Sequence, residues 1–282
     1  MRQGIDNIEF HGLDALRLQA ASGASAVITL YGAQVVSWVT PDRRERLFLS
    51  ENARYDMQNA IRGGIPISFP QFSGLGSLPK HGFIRKHLWT VTKRDEGEGY
   101  VMVTLACRDD EATRRIWPHA FSAELAVALD GDRLDVEFAV ENLDSRPFQF
   151  TSALHTYLSV DEVENVALEG LYGLEYRDAA DGDKIKKDNG PSLHVSGPVD
   201  RVYHDATRPV LLREADHSLG IHSEGFPDVV VWNPWEGARF QVEDMPRLGF
   251  RHMLCVEAAA ARRPIELQPG ENWWGRQTLV AV

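Results

Sequence analysis

Two side chains with acid–base chemistry stand in unusual surroundings. Glu257 lies in Met253-Leu254-Cys255-Val256-Glu257-Ala258. On a strand, Leu254 and Val256 face one side there, and Cys255 and Glu257 the other. A carboxylate in so apolar a run is expensive to bury unless it is paired or used. His155 lies in Thr151-Ser152-Ala153-Leu154-His155-Thr156-Tyr157-Leu158, sharing a strand face with Ala153 and Tyr157. Imidazole and carboxyl groups both exchange protons near neutral pH, which is the equipment of general acid–base catalysis. Taken alone, a single strand histidine reads first as a hydrogen-bonded structural residue.

Cations gather in two further segments. In Arg62-Gly63-Gly64-Ile65-Pro66-Ile67-Ser68-Phe69-Pro70-Gln71-Phe72, two glycines let the backbone turn tightly behind Arg62. That arrangement either points the guanidinium inward or makes a plain β-turn with an outward arginine. Between Lys80 and His87, three cations (Lys80, Arg85, Lys86) and two histidines (His81, His87) form a basic concentration. Guanidinium groups match phosphate oxygens bidentately; the bland reading is a solubilising loop.

These cations matter because the chain as a whole is acidic. It has 282 residues, with 30 Lys and Arg against 41 Asp and Glu, a formal charge of −11. Nucleic acids and anionic membranes need a basic field, so neither is expected as a partner. With 43% hydrophobic and 25% charged residues, the composition is that of an ordinary globular protein. No apolar run reaches the roughly 18 residues of a membrane helix, and Met1 to Asp6 lacks a signal-peptide stretch. Cys107 and Cys255 are the two cysteines, too few for a disulfide framework or a zinc cluster, so a cytoplasmic home is expected. There is no Gly-x-Gly-x-x-Gly, phosphate-binding loop, Gly-x-Ser-x-Gly or His-Glu-x-x-His. His217 and His222 lack matching ligands and read as a solvated turn. No cofactor and no metal are expected.

The elements that must position these groups are strands. From Glu124 to Glu141, Leu125, Val127 and Leu129, then Leu134, Val136, Phe138 and Val140, alternate with polar or small residues about Asp130-Gly131-Asp132, the pattern of a half-buried hairpin. Further strand signals cover Ala26–Tyr31, Val35–Val39, Leu88–Thr92, Tyr100–Cys107, Gln149–Val160, Val163–Leu168, Val210–Leu212, Val229–Trp232, Met253–Glu257 and Trp274–Val280. Helical signals are few: Asp109–Trp117 predicts about two turns before Pro118. Asp178–Lys187 reads as an exposed, charged loop. With no repeat, linker or composition break, residues 1–282 are expected to form one large antiparallel β domain, a sandwich or barrel.

In order, Arg62-Gly63-Gly64-Ile65-Pro66, Pro79-Lys80-His81-Gly82-Phe83-Ile84-Arg85, the His155 strand and Cys255-Val256-Glu257-Ala258 resemble the aldose 1-epimerase (mutarotase) superfamily, and within it the hexose-6-phosphate mutarotase branch. Trp117-Pro118-His119-Ala120-Phe121, Val199-Asp200-Arg201-Val202-Tyr203, Val231-Trp232-Asn233-Pro234-Trp235 and Leu267-Gln268-Pro269-Gly270-Glu271-Asn272-Trp273 support the likeness, which spans about Gly32 to Leu279. The resemblance implies an all-β fold, a large twisted antiparallel β-sandwich of the galactose mutarotase-like type with few short helices. It also implies cofactor-free interconversion of the anomers of an aldohexose 6-phosphate. By that likeness His155 is the general acid and Glu257 the general base, while Arg62, His81, Arg85 and Asp200 hold sugar and phosphate. Lys80, where many relatives carry a polar residue, and Gln71 are counted with the substrate-binding set. Ile84 departs from the usual Ala, and Glu236–Asp244 matches loosely.

A carboxylate at Glu257 is expected to keep His155 charged, giving each the protonation state its role needs. The expected partner is a small sugar phosphate, with the chain a monomer or weak homo-oligomer. Two other readings stand beside this one. A mutarotase of neutral aldoses would not need the Lys80–Lys86 cluster. A non-catalytic carbohydrate-binding sandwich would instead use Trp232, Trp235, Trp273 and Trp274 as a platform.

Overall fold

The hairpin read from alternation sets the frame of the molecule. In the computed structural model, which describes residues 3–236 and 242–282, Phe121–Asp130 pairs antiparallel with Arg133–Asn142 across Gly131 and Asp132. Gly131 takes a positive φ of 55°, as a tight two-residue turn requires. Its predicted inward residues, from Leu125 to Val140, are all buried.

Around it runs a nine-stranded sheet. From one edge the order is Ser192–Leu193, Ala167–Glu169, Val210–Arg213, Ser218–Glu224, Asn272–Ala281, Arg133–Asn142, Phe121–Asp130, Tyr100–Arg108 and Thr90–Glu96. A second, eight-stranded sheet carries, in order, Lys184–Lys187, Glu175–Asp178, Val199–Tyr203, Asp228–Asn233, Met253–Leu267, Phe148–Leu154 and Ile67–Ser68, with Tyr157–Ser159 also pairing to Met253–Leu267. Gly4–Phe10, Leu13–Gln19, Ser25–Thr29 and Val35–Val39 form a four-stranded meander. One apolar cluster joins the two large sheets, Val127, Val136, Phe138 and Leu279 from one and Phe150, Leu154 and Val256 from the other. The fold is therefore the expected antiparallel β-sandwich, with 51% strand and 7% helix.

Several elements differ from the expectation. Val163–Asn165 is a 3-10 turn, and only Ala167–Glu169 of that stretch is strand. The buried Val163 and Val166 stand three apart, the period of such a turn. Asp178–Lys187, expected as a loop, contains the edge strand Lys184–Lys187 paired to Glu175–Asp178. Its residues are mostly exposed on both faces, so no hydrophobic alternation announces it, and its lysines suit an open edge. Met253–Leu267 runs ten residues past Glu257, through an alanine and arginine run with little periodicity. The predicted helix is Glu111–Ile116, closed by a reciprocal capping box between Asp110 and Thr113. Most important, the Gln149–Val160 strand is broken: it stops at Leu154 and resumes at Tyr157, leaving His155 in the gap. No helix among the described residues is long and apolar enough to cross a membrane.

Candidate active site

His155 is held by backbone on both sides of this break. Its N–H donates to the Pro66 carbonyl at 2.9 Å, and the Tyr157 N–H donates to the Gly64 carbonyl at 2.9 Å. The Arg62-Gly63-Gly64 turn is thus part of the support for His155. A Cβ on Gly63 would lie 2.3 Å from the Phe48 oxygen, and one on Gly64 2.2 Å from the Val35 oxygen. Positive φ at both positions adds to the demand for glycine.

Glu257 comes from the adjoining strand Met253–Leu267, opposite Val230. His155 Nδ1 and Glu257 Oε1 are 3.3 Å apart, with both side chains buried. The approach is not aligned as a hydrogen bond: His155 Nδ1 and Glu257 Oε2 are both buried without a partner. Buried orphan groups of this kind are costly unless a ligand satisfies them.

The sequence predicts a charged His155, and the structure reverses that expectation. Burial, followed by the positive fields of Arg85 and Arg62, pushes the imidazole well below its ordinary value. Burial, reinforced by Asp200 and partly offset by Arg85, lifts the Glu257 carboxyl well above its own. Desolvation thus favours a neutral imidazole beside a neutral carboxyl.

The pair opens onto a cavity of about 470 Å³, of a size for a small ligand. Arg62, Lys80, His81, Arg85 and Asp200 all line it with His155 and Glu257. His81 has a φ of 62° and precedes Gly82, where a Cβ would sit 1.9 Å from the Phe69 oxygen. The Ser73 N–H donates to His81 Nδ1 at 3.3 Å, and the Ser68 hydroxyl is 2.9 Å from the same nitrogen. With Nδ1 accepting, the other nitrogen carries the hydrogen, so the neutral ring is a donor. Burial lowers the His81 pKa further, which keeps it neutral.

The two arginines differ. Arg62 Nε donates to Asp244 at 2.9 Å and its Nη1 to the Tyr157 hydroxyl at 2.8 Å. Arg85 Nη2 donates to the Lys80 carbonyl at 3.0 Å, while its buried Nε has no partner. Burial lowers the Arg85 pKa to about 10, which still leaves it charged at neutral pH.

Gln71 must be removed from the binding set. It does not line the cavity; its Nε2 donates to the Ser73 and Leu78 carbonyls at 3.1 and 3.0 Å, and its Oε1 accepts from the Leu78 N–H at 3.0 Å. The amide is consumed in stapling its own loop. Lys86 is exposed, and His87 lies 3.3 Å from Asp110 instead of the cavity. The tryptophan platform does not form: Trp232 lines the cavity, Trp235 packs on Phe250, Trp273 packs among Phe138, Phe150 and Phe226, and Trp274 is exposed beside Arg276.

Sequence reasoning missed Arg54, Asn59 and Asp244, all of which line the cavity. Arg54 is half exposed and 3.7 Å from Glu243. No motif marks either arginine or asparagine, and Asp244 lies in a stretch from which the sequence allowed nothing to be drawn. Among the described residues, two groups have ligand atoms within metal-binding reach of one another: His155, Cys255 and Glu257, and Asp161, Asp216 and His217. In the first, burial and Glu257 hold the Cys255 thiol well above its ordinary value. In the second, Arg44 contacts Asp161 at 2.7 Å and His217 Nδ1 at 2.6 Å, so a cation already occupies the cluster.

Similarity to known proteins agrees with this arrangement. A family model described as aldose 1-epimerase matches residues 14–279. The chain is 38% identical over 281 residues to a Cenchrus ciliaris protein named "Putative glucose-6-phosphate 1-epimerase", covering 96% of this chain and 85% of that protein. It is 30% identical over 274 residues to a Salmonella typhimurium protein of the same name, covering 93% and 87%. A crystal structure of a "putative mutarotase (YeaD)" from Salmonella typhimurium superposes with a TM-score of 0.90 at 28% identity, covering 99% of this chain and 93% of the other. A galactose mutarotase-like protein from Clostridium acetobutylicum, at 16% identity, shares the fold with a TM-score of 0.77, covering 99% and 98%. With the model spanning nearly its whole length and the fold matching throughout, the chain belongs to the aldose 1-epimerase family.

Proposed function

We propose that this isomerase interconverts the α and β anomers of an aldohexose 6-phosphate, with glucose 6-phosphate the leading candidate. The observation that carries the reading is the meeting, in one cavity, of an orphaned histidine–carboxyl pair and several cations. A neutral sugar has no use for the second feature. The names of the Cenchrus ciliaris and Salmonella typhimurium relatives support the same substrate.

In the proposed cycle, ring opening starts from the ion pair. Glu257 takes the proton of the C1 hydroxyl while the His155 imidazolium gives one to the ring oxygen. The C1–O5 bond breaks, an aldehyde forms at C1, and the pair is left as neutral imidazole and neutral carboxylic acid. C1 then turns about the C1–C2 bond. In closure O5 attacks the other face of C1, its proton returns to His155, and Glu257 protonates the aldehyde oxygen, which becomes the new C1 hydroxyl. The pair holds one transferable proton throughout, so the two forms interconvert without exchange with solvent.

Burial favours the neutral form in the empty site. A phosphate dianion beside Arg85 and Arg62 counters two of the fields that depress His155, and so helps restore the imidazolium as substrate binds. Arg85, with its free donor, is the proposed main phosphate anchor, with Lys80 and the remaining donors of Arg62 beside it. His81 and Asp200 are assigned to the sugar hydroxyls. We also propose that the chain folds as one unit and works in the cytoplasm on a free metabolite, where its two unpaired cysteines stay reduced.

Anomer exchange measured by NMR on glucose 6-phosphate beside glucose tests the reading. Catalysed exchange of the phosphate ester with little effect on glucose is expected. Equal rates would make the chain a mutarotase of neutral aldoses, and no exchange on either would reject catalysis.

A further inference from the structure

Behind the cavity, the side chain of Gln277 crosses from one sheet to the other. Gln277 lies on Asn272–Ala281 in the nine-stranded sheet and is 1% exposed. Its Nε2 donates to the Val256 carbonyl at 3.0 Å, and its Oε1 accepts from the Thr156 hydroxyl. The Val256 N–H in turn donates to the Thr156 carbonyl at 3.1 Å. The amide therefore closes a ring through the two backbone segments that carry the acid–base pair. Thr156 follows His155, and Val256 precedes Glu257. Val256 and Glu257 alternate on their strand, so Val256 faces the inter-sheet core and Glu257 the cavity. In the break, the Thr156 hydroxyl reaches the buried Gln277 while His155 lines the cavity.

We propose that Gln277 is a positioning residue which sets the separation of His155 and Glu257. The proposal rests on the proton-transfer roles given to that pair above. The pair cannot set its own spacing: its 3.3 Å approach is not a formed hydrogen bond, and His155 Nδ1 and the far carboxyl oxygen, Glu257 Oε2, are buried without partners. The local backbone cannot set it alone either, since regular pairing lapses at His155 and Thr156. An apolar residue of similar size would suit the surrounding core of Val136, Phe138, Ile221 and Leu279. A buried amide there is accounted for by what it grips. Proton transfer demands close geometry, and a misplacement of about 1 Å can cost roughly 10²-fold in rate.

The test compares Gln277→Met, Thr156→Val and Thr156→Ser with wild type by NMR exchange on glucose 6-phosphate, alongside thermal melts and binding of the non-isomerising 1,5-anhydroglucitol 6-phosphate. Gln277→Met and Thr156→Val should each lower kcat at least tenfold, with KM and analogue affinity within about twofold of wild type. Thr156→Ser, which keeps the hydroxyl, should retain kcat. The double variant should be little worse than the poorer single, because both cut the same ring. Folded Gln277→Met and Thr156→Val with near wild-type kcat, even at a lower Tm, would assign Gln277 to stability alone and overturn the proposal. If Gln277→Met does not fold, the contrast between Thr156→Val and Thr156→Ser decides. Wild-type protein without exchange activity would sink the underlying reading, whereas an active wild type with unaffected variants sinks only this inference.

Discussion

Replacing Arg85 by Met should separate phosphate recognition from sugar recognition. Arg85 lines the cavity on the 3-10 turn Ile84–Lys86, with one donor committed to the Lys80 carbonyl and its buried Nε free. A charge-assisted hydrogen bond contributes about 1.5–3 kcal/mol. At about 1.4 kcal/mol per tenfold, one such bond is worth roughly 10- to 150-fold in affinity. Kd for glucose 6-phosphate should rise by that factor, while any binding of glucose stays within about twofold. The pH–rate profile should move as well. Activity needs the state in which the pair holds one proton. The acid limb is the gain of a second proton, led by the depressed His155, and the alkaline limb is the loss of the last, led by the raised Glu257. The Arg85 charge lowers both pKa values. Its removal should therefore shift both limbs to higher pH. Calorimetric titration and the pH dependence of kcat check the two effects. Equal losses on both sugars, or limbs moving to lower pH, would refute the reasoning.

The remaining expectations concern the pair, its neighbours and its requirements. His155→Ala and Glu257→Gln should each reduce kcat by about 10²–10⁴-fold, with the double variant little worse than the poorer single, since each residue needs the other's transfer. Near-full turnover in Glu257→Gln would reject it as base. Glu257→Gln should also stabilise the fold increasingly with pH. The native pKa lies above the ordinary 4.5, so native stability declines as pH rises from 4.5 through the native value, and glutamine has no proton to lose; a Tm difference that shrinks with pH in melts from pH 5 to 8 would contradict this. Asp244→Ala frees the Arg62 Nε from its 2.9 Å bond and should lower KM for glucose 6-phosphate a few-fold; a raised KM would show that Asp244 serves mainly to aim Arg62. EDTA should leave turnover unchanged, because each step is a proton transfer between side chain and sugar; loss of turnover in EDTA with recovery on one added metal would overturn that.

What could be read without a structure was whatever is periodic along the chain. Two-residue alternation is local, so it exposed the Phe121–Asn142 hairpin and put Cys255 and Glu257 on one face and Leu254 and Val256 on the other. The Gly63-Gly64 pair and the cation run at Lys80–Arg85 were legible for the same reason: backbone freedom and charge are properties of adjacent residues. Tertiary structure decided the rest. Asp244 neutralises Arg62 across 182 positions of sequence, and Gln277 grips strands more than 120 and about 20 positions away. Gln71, polar and beside the cavity-forming segment, was already used by its own loop, which only its bonds to Ser73 and Leu78 reveal. The protonation of the central pair was also beyond sequence. Proximity alone argues for an ion pair, but desolvation depends on how completely two sheets cover the groups, and that cover is assembled from strands scattered over the whole chain.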